Sequence, residues 1–204
     1  PGEDLPGCRD VLEFIAELKT RDRQRLSLAG QRVAVIGGGN TAIDGVTQAA
    51  RLGADRVTLV YRRGREQMKA YDHEVELARL DGAELVFFAQ PVAVLGEQRV
   101  TGLRCQRTRL VQGRLEALEG ETFELDVDLV LRATGQGRHG LLAAIDGLKL
   151  DRGVVIVDDH GRTSHEKIWA GGDCANGGKE VVNAVAEGRR AALSIHATLG
   201  GRDD

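Results

Sequence analysis

The chain of 204 residues carries a formal net charge of −3, with 42% hydrophobic and 29% charged residues, which is typical of an ordinary globular protein. This composition gives no overall basic field for nucleic acid, and no apolar run reaches the roughly 18 residues of a membrane-spanning helix. At roughly 150 residues a domain, one full core and a second, partial core are expected. Cys8, Cys105 and Cys174 form neither a CxxC pair nor a disulfide framework, which favours a reducing, cytoplasmic setting.

The first segment, PGEDLPG, has neither the charged region nor the apolar region of a signal peptide. Because the chain also begins with Pro1, we expect it to be a piece of a longer protein. Apolar residues at helical spacing then predict a docking helix over Asp10 to Leu18.

A strand, a turn, a helix and a second strand follow in close succession. Four apolar residues predict a strand from Arg32 to Ile36, three glycines form the turn, and a helix is expected from about Thr41 to Leu52. The second strand is expected from Arg56 to Tyr61. Such a βαβ unit implies parallel strands joined by a right-handed crossover.

The rest of the chain alternates helical and strand patterns. An apolar run without clean alternation, as at Asp128 to Gly135, is typical of a strand in a sheet covered on both faces. The other expected elements are a helix at Asp72 to Leu80, a strand in AELVFF, one or two antiparallel hairpin strands within Pro91 to Leu115 with turns at Gly96 and Gly113, a short strand in GVVIVD and a last helix at about Glu180 to Leu199.

The glycine turn fits the pattern G-x-G-x-x-G/A, in which the last position lets helix and strand pack closely. Gly37 permits a tight turn, Gly39 lets a pyrophosphate approach the backbone, and Ala42 is the small residue at the close contact. Free amides at a helix start hold a diphosphate well. The alternative is a purely structural strand-to-helix turn. The surrounding βαβ pattern favours a dinucleotide site made by Gly37, Gly38, Gly39, Asn40, Thr41 and Ala42.

The end of the second strand decides which nucleotide is preferred. An acidic residue at this place binds the ribose 2′-hydroxyl of NAD, whereas this chain has the sequence YRRGR. Guanidinium groups suit a 2′-phosphate, so Arg62 and Arg63 predict NADP(H), with NAD(H) as the alternative. A solvated surface cluster of arginines is the other interpretation.

A second glycine-rich stretch, AGGDCANGGKEVVNAVAEG, places Asp173 after a strand and shortly before a helix. A carboxylate there can accept a hydrogen bond from a polyol hydroxyl, and amides at the helix start can face a carbonyl that gains negative charge. A simple loop that caps the helix is the alternative interpretation.

These motifs together resemble the C-terminal part of the FAD-dependent pyridine nucleotide oxidoreductases of the glutamate synthase small-subunit type. The resemblance runs from GEDLPG through VIGGGNTAID, VTLVYRRGREQM and ATGQ to AGGDCANGGKEVVNAVAEG, and within the group it looks most like the NAD(P)H-oxidising part of dihydropyrimidine dehydrogenase. It implies that Gly135 lines the nicotinamide nucleotide cleft, that Gly172 and Asp173 contact the ribityl and phosphate portion of FAD, and that Val181 and Val182 present backbone to the flavin ring.

The front of such proteins, an iron–sulfur segment and a first glycine-rich unit for FAD, has no counterpart in this sequence. The expected fold is therefore α/β: a Rossmann-like NAD(P)-binding domain with a parallel sheet and an antiparallel β-hairpin insertion, flanked by segments of an incomplete FAD-binding domain. The expected boundaries are 1–31 for the first FAD-domain segment with the docking helix, 32–144 for the NAD(P)-binding domain and 145–204 for the second FAD-domain segment.

The resemblance implies an oxidoreductase that passes hydride from NADPH to FAD and then electrons to an iron–sulfur carrier. The missing FAD and iron–sulfur portion is expected in the same protein or in a partner subunit, and the isolated chain is expected to be inactive and to self-associate through uncovered apolar faces. A non-catalytic dinucleotide-binding or redox-sensing module is the alternative. The lack of CxxC argues against a thiol reductase, and the final electron acceptor is not encoded in these residues.

Neither a catalytic side chain nor a metal site is predicted. The cofactors carry the reactive chemistry, so no side chain has to act as acid or base. Cys174 lacks a neighbouring cysteine or base and is interpreted as a packing residue. Metal-ligand spacing is missing at the five histidines, His73, His139, His160, His165 and His196.

Overall fold

The computed structural model describes residues 1–20, 26–135 and 140–200. The chain forms two compact units, Pro1–Gln136 and Gly137–Asp204. His139 and the predicted linker positions 21–25 lie outside the described residues. The predicted division into cofactor domains at residues 31 and 144 stays a prediction.

The first unit contains eight strands and three helices within its described residues. The strands are β1 (Cys8–Asp10), β2 (Arg32–Ile36), β3 (Arg56–Val60), β4 (Glu84–Val86), β5 (Ala89–Leu95), β6 (Gly102–Val111), β7 (Arg114–Asp126) and β8 (Leu129–Arg132). The helices are α1 (Val11–Thr20), α2 (Asn40–Arg51) and α3 (Asp72–Leu80). A short 3₁₀ turn, Arg65–Gln67, follows β3.

Five of these strands form a parallel sheet in the order β1-β8-β2-β3-β4. One face carries Val33, Val35 and Leu59 in a buried cluster with residues of the three helices. On the other face, Ala34 and Val130 pack with residues of β5 and β6. The sheet is thus covered on both sides, which explains why its strands lack polar alternation. The α/β class and the parallel sheet are confirmed.

A separate antiparallel sheet has the order β5-β6-β7. The turn between β6 and β7 places Gln112 at φ 49° and Gly113 at φ 78°, the two positive values that a tight hairpin turn requires. The predicted extent, one or two strands ending by Leu115, was wrong. The edge strand β7 has an exposed, charged sequence, and its apolar period is too faint to identify it.

The predicted docking helix is present as α1, close to its predicted limits. Val11, Phe14 and Leu18 are buried in the core of the first unit. A Cβ added at Gly45 of α2 would lie 2.6 Å from the Val11 side chain, so the two helices approach closely. The apolar face of this helix is thus covered within the first unit and is not a surface for self-association.

An ion pair joins the starts of two central strands. Asp128 accepts hydrogen bonds from the Arg32 amide at 2.9 Å and from the Arg32 guanidinium at 2.9 and 3.0 Å. The side-chain hydrogen bonds from Arg32, followed by the one from its amide, lower the pKa of Asp128 from 3.8 to about 2.

We expect this pair to make stability depend on pH in the acid range. Because the folded pKa is the lower one, the stabilisation is present above pH 3.8 and is lost as the pH falls to about 2. Acid unfolding followed by circular dichroism should therefore show a smaller loss over this window for Asp128→Asn than for the wild type. Equal losses in the two proteins would contradict the expectation.

The second unit consists of α4 (Gly140–Ala143), β9 (Leu150–Asp151), β10 (Val154–Val155), α5 (Asp173–Asn176) and α6 (Val181–Thr198). The strand expected in GVVIVD is only two residues long and pairs with β9 in antiparallel fashion. The last helix lies one residue inside its expected limits at each end. Ser194 on α6 accepts hydrogen bonds from the Trp169 indole at 2.9 Å and the Arg162 guanidinium at 3.1 Å, which fixes the preceding loop to the helix.

Across the described ranges, none of the helices has the length and apolar character needed to cross a bilayer.

Candidate functional site

The glycine turn connects the end of β2 to the start of α2. Gly37 donates a hydrogen bond from its amide to the Val60 carbonyl at 3.1 Å. A Cβ at Gly37 would lie 2.5 Å from the Ala133 carbonyl oxygen and 3.0 Å from the Ala42 Cβ. A Cβ at Gly38 would overlap the Tyr61 ring. These two glycines are thus required by the protein's own packing.

Gly39 differs from its two neighbours, because a Cβ there would meet nothing within 4 Å. It is the residue before α2, and the first turn of that helix contains no acidic side chain. Within the described part of the chain, the amides of Gly39, Asn40 and Thr41 donate to no protein acceptor. An open backbone with unpaired amides at a helix start fits a diphosphate.

A segment that the sequence did not identify lies against this turn. Lys69 and Ala70 donate from their amides to the Gly38 carbonyl, at 2.9 and 3.2 Å. The next amide, that of Tyr71, donates to Asn40 Oδ1 at 3.0 Å. The Asn40 side chain, predicted to contact the nucleotide, therefore also holds this segment to the helix start. No local sequence pattern indicates such a contact, since the two residues are far apart in the chain.

The arginine loop begins immediately after β3. Its backbone is fixed by the Thr108 hydroxyl, which donates to the Arg62 carbonyl at 2.7 Å, and by the Phe88 amide, which donates to the Arg63 carbonyl at 3.1 Å. Among the described residues, neither guanidinium has an ion-pair or hydrogen-bond partner. Arg65, in contrast, forms an ion pair with Asp72. The two predicted arginines are thus available to an anionic ligand.

The third part of the predicted nucleotide site is Gly135, beyond the end of β8. It has φ +125°, and a Cβ there would meet nothing within 4 Å. Strands β8, β2 and β3 are neighbours and parallel, so the glycine turn, the arginine loop and Gly135 all follow carboxyl ends at one edge of the sheet. Ligands of open α/β sheets bind at this edge, where the order of the strands reverses.

In the second unit, the residues predicted to contact FAD lie on a short turn and at a helix start. Gly172 has φ +72° and precedes Asp173, the first residue of α5, whose side chain is exposed. Val181 and Val182 begin α6 and are 78% and 68% exposed. Two exposed valines at a helix N-terminus provide an apolar contact surface, and in the described part of the chain their amides have no acceptor. This arrangement fits the edge of a planar ring.

Sequence reasoning missed Glu187 on α6, which contacts this turn directly. Its Oε2 accepts hydrogen bonds from the Gly172 amide at 2.7 Å and from Asn176 Nδ2 at 2.9 Å. The bond from Asn176, followed by that from the Gly172 amide, lowers the pKa of Glu187 below its usual value. The spacing of fifteen residues between donor and acceptor gives no local sequence signal.

The remaining candidates are the cysteines and the side chains that could ligate a metal. Burial raises the pKa of the Cys105 thiol to about 12 and also raises that of Cys8. The exposed Cys174 lies with Sγ 3.3 Å from the Gly171 carbonyl, and all three cysteines are unbridged. No group of three or more His, Cys, Asp or Glu side chains in the described ranges is arranged to hold a metal ion.

The fold and this site define a class, the α/β proteins with a Rossmann-type unit for pyridine nucleotides. The family model for pyridine nucleotide-disulphide oxidoreductases matches residues 2–188. The chain therefore belongs to that family. This confirms the predicted relationship to pyridine nucleotide oxidoreductases.

Individual relatives refine the comparison. The chain is 39% identical to the glutamate synthase [NADPH] small chain of Halomonas elongata, over 96% of its own length and 45% of the relative. It is 40% identical to the putative oxidoreductase AegA of Escherichia coli, over 98% of its length and 34% of that protein. The crystal structure of thioredoxin reductase from T. acidophilum shares 26% identity at a TM-score of 0.71, covering 84% of this chain and 53% of that one. The chain thus spans about half or less of the proteins it matches.

Proposed function

We propose that the chain is the NADPH-binding part of a flavoprotein oxidoreductase of the glutamate synthase small-subunit type. The observation that carries this proposal is that, among the described residues, neither the amides of Gly39, Asn40 and Thr41 nor the guanidinium groups of Arg62 and Arg63 have a protein partner. When bound, NADPH would supply a hydride for FAD, and the reduced flavin would supply single electrons to an iron–sulfur carrier.

The residues of the chain bind and orient the cofactors. Gly39, Asn40 and Thr41 present amides to the nicotinamide nucleotide's diphosphate, and the forks of Arg62 and Arg63 pair with its 2′-phosphate. Gly135, which has no side chain, leaves room for the nucleotide along the same sheet edge. No side chain needs to move a proton, because hydride transfer between cofactors requires position and exclusion of water.

On the flavin side, Asp173 is proposed to accept a hydrogen bond from a ribityl hydroxyl, with Val181 and Val182 against the ring. The FAD diphosphate needs a glycine-rich βαβ unit of its own, whereas Gly37 to Ala42 is already assigned to NADPH. The missing unit belongs to the same protein or to a partner subunit, as the partial coverage of the relatives supports. A cytoplasmic location goes with this proposal.

We expect the purified chain to be colourless, to bind NADPH and to reduce no dye, even with added FAD. The physical reason is that a site holding FAD at one end only lacks the diphosphate contacts that dominate retention. Absorbance near the flavin bands shows whether the protein is coloured, and dye reduction with NADPH shows whether it is active. Light scattering gives the oligomeric state. The apolar start of α6, exposed in this structure, gives self-association a surface.

The matched control is the same chain joined to the portion that carries the other glycine-rich unit. That protein should purify yellow and oxidise NADPH. A yellow preparation of the chain alone, with stoichiometric FAD and NADPH-dependent dye reduction, would overturn the proposed division of the flavin site. A joined protein that binds NADPH and never FAD would instead support a redox-sensing module.

A further inference from the structure

The Gly172–Asn176 turn is held against α6 by a single carboxylate. Glu187 Oε2 accepts from the amide at the start of α5 and from the side chain of the last residue of α5. Helix α5 has only four residues, and a helix this short is not stable on its own. The helix has backbone hydrogen bonds of its own, and the two bonds to Glu187 bring both of its ends to one oxygen on α6.

The backbone of the turn also lies unusually close to α6. A Cβ at Gly171 would be 2.9 Å from Glu187 Cβ, and a Cβ at Gly172 would be 3.3 Å from Ala184 Cβ. Ala184 and Glu187 are three residues apart, so they lie on one face of the helix. The glycines and the carboxylate thus fix the turn at one place along α6.

This contact sets the relation between two parts of the proposed flavin site. Asp173 follows Gly172 directly and points to solvent, while Val181 and Val182 begin the helix that carries Glu187. The Asp173 carboxylate takes no part in the two hydrogen bonds to Glu187, so it is available to a ligand. A carboxylate that accepts two donors at 2.7 and 2.9 Å is a strong anchor, because charge-assisted hydrogen bonds are stronger than neutral ones.

We propose that Glu187 is a positioning residue for FAD: it clamps the Gly172–Asn176 turn to α6 so that Asp173 and Val181–Val182 meet one flavin in a fixed relation. This inference rests on the proposed function. Glu187 itself touches no cofactor in this scheme. It acts through the turn, as the side chain whose one oxygen accepts both hydrogen bonds.

The test compares three variants of the FAD-containing protein that includes this chain. Glu187→Ala removes both hydrogen bonds, whereas Glu187→Gln keeps a carbonyl oxygen that can accept both. Glu166→Ala is the matched control, because Glu166 lies in the same unit and its side chain is 82% exposed beside Lys167. FAD affinity is measured by fluorescence as apoprotein is titrated with flavin, and the visible circular dichroism of bound flavin reports its geometry.

We expect Glu187→Ala to weaken FAD binding by about 10- to 100-fold, the effect of losing one or two charge-assisted hydrogen bonds, and to change the dichroism of the bound flavin. Glu187→Gln should stay within about fivefold of the wild type, and Glu166→Ala should be unchanged. Hydrogen exchange on the chain without FAD should show faster exchange of the Gly172 amide in Glu187→Ala than in Glu187→Gln.

Three results would overturn the inference in different ways. If the wild type binds FAD and Glu187→Ala binds it equally well with the same dichroism, Glu187 positions nothing and the proposed function stands. If the wild-type protein binds no FAD at all, both the proposed function and the positioning role fail. A drop in the melting temperature of the apoprotein with unchanged FAD affinity would assign Glu187 a structural role alone.

Discussion

Gly39→Val should strongly weaken the binding of both NADPH and NADH while the chain keeps its fold. The new side chain would stand at the helix start, where the diphosphate has to approach the backbone amides. We expect a loss of about 100-fold or more for both nucleotides, equivalent to roughly 3 kcal/mol. Isothermal titration calorimetry with each nucleotide measures this loss, and thermal unfolding measures the stability of the fold.

The structure explains why the fold should tolerate this change. Gly39 has φ −106° and ψ 175°, an extended conformation open to any L-residue, and a Cβ there meets no atom within 4 Å. The expected cost is that of replacing a good helix N-cap by a poor one, about 1 kcal/mol. Binding should therefore fall far more than stability does.

Two further variants serve as controls for the turn. Gly39→Ala introduces a smaller group and should give a smaller loss of affinity. Gly37→Ala should instead destabilise the fold, because its Cβ would lie 2.5 Å from the Ala133 carbonyl oxygen. If Gly39→Val binds both nucleotides as the wild type does, the glycines serve only as a structural turn.

Arg62→Ala should weaken NADPH binding by about 10- to 100-fold and leave NADH binding nearly unchanged. The wild type is expected to prefer NADPH by roughly 1–3 kcal/mol, the range of a charge-assisted pair with the 2′-phosphate. Since the Arg62 guanidinium has no partner among the described residues, its removal should not disturb the fold. Parallel titrations with the two nucleotides give the preference directly.

Arg56→Ala is the matched control for this prediction. Arg56 is the first residue of β3, whereas Arg62 follows the other end of that strand. The Arg56 guanidinium donates to the Asp126 carbonyl at 2.9 Å. Its removal should change neither affinity, although it takes away the same charge. Equal binding of NADPH and NADH by the wild type would defeat the assignment of NADP.

The elements predicted best from the sequence are those whose signals are local. Strand β2 lies at its predicted limits, and α2 and β3 differ from theirs by one residue, because apolar runs and glycines mark them within a few positions. Strand β1 was missed, since Cys8–Asp10 is three residues long and gains its place only by pairing with β8. Its sequence has no apolar period of its own.

The candidate site also contains parts with a local sequence signal and parts without one. The glycine turn and the arginine loop could be predicted, because the residues that make them are adjacent in the chain. The Asn40–Tyr71 hydrogen bond and the Glu187 clamp could not, since each joins residues brought together by tertiary packing. A side chain's partner across the fold is decided by distances that a sequence pattern does not contain.

The way in which the loop after β3 is held has a consequence for evolution. Its main-chain carbonyls at residues 61, 62 and 63 take the anchoring hydrogen bonds from Ala89, Thr108 and Phe88, so the scaffold places no demand on the side chains of residues 62 and 63. Selection can therefore exchange the two arginines for other residues without loss of folding. On the assignment proposed above, the preference for NADP(H) over NAD(H) would then depend on two side chains that the fold does not need.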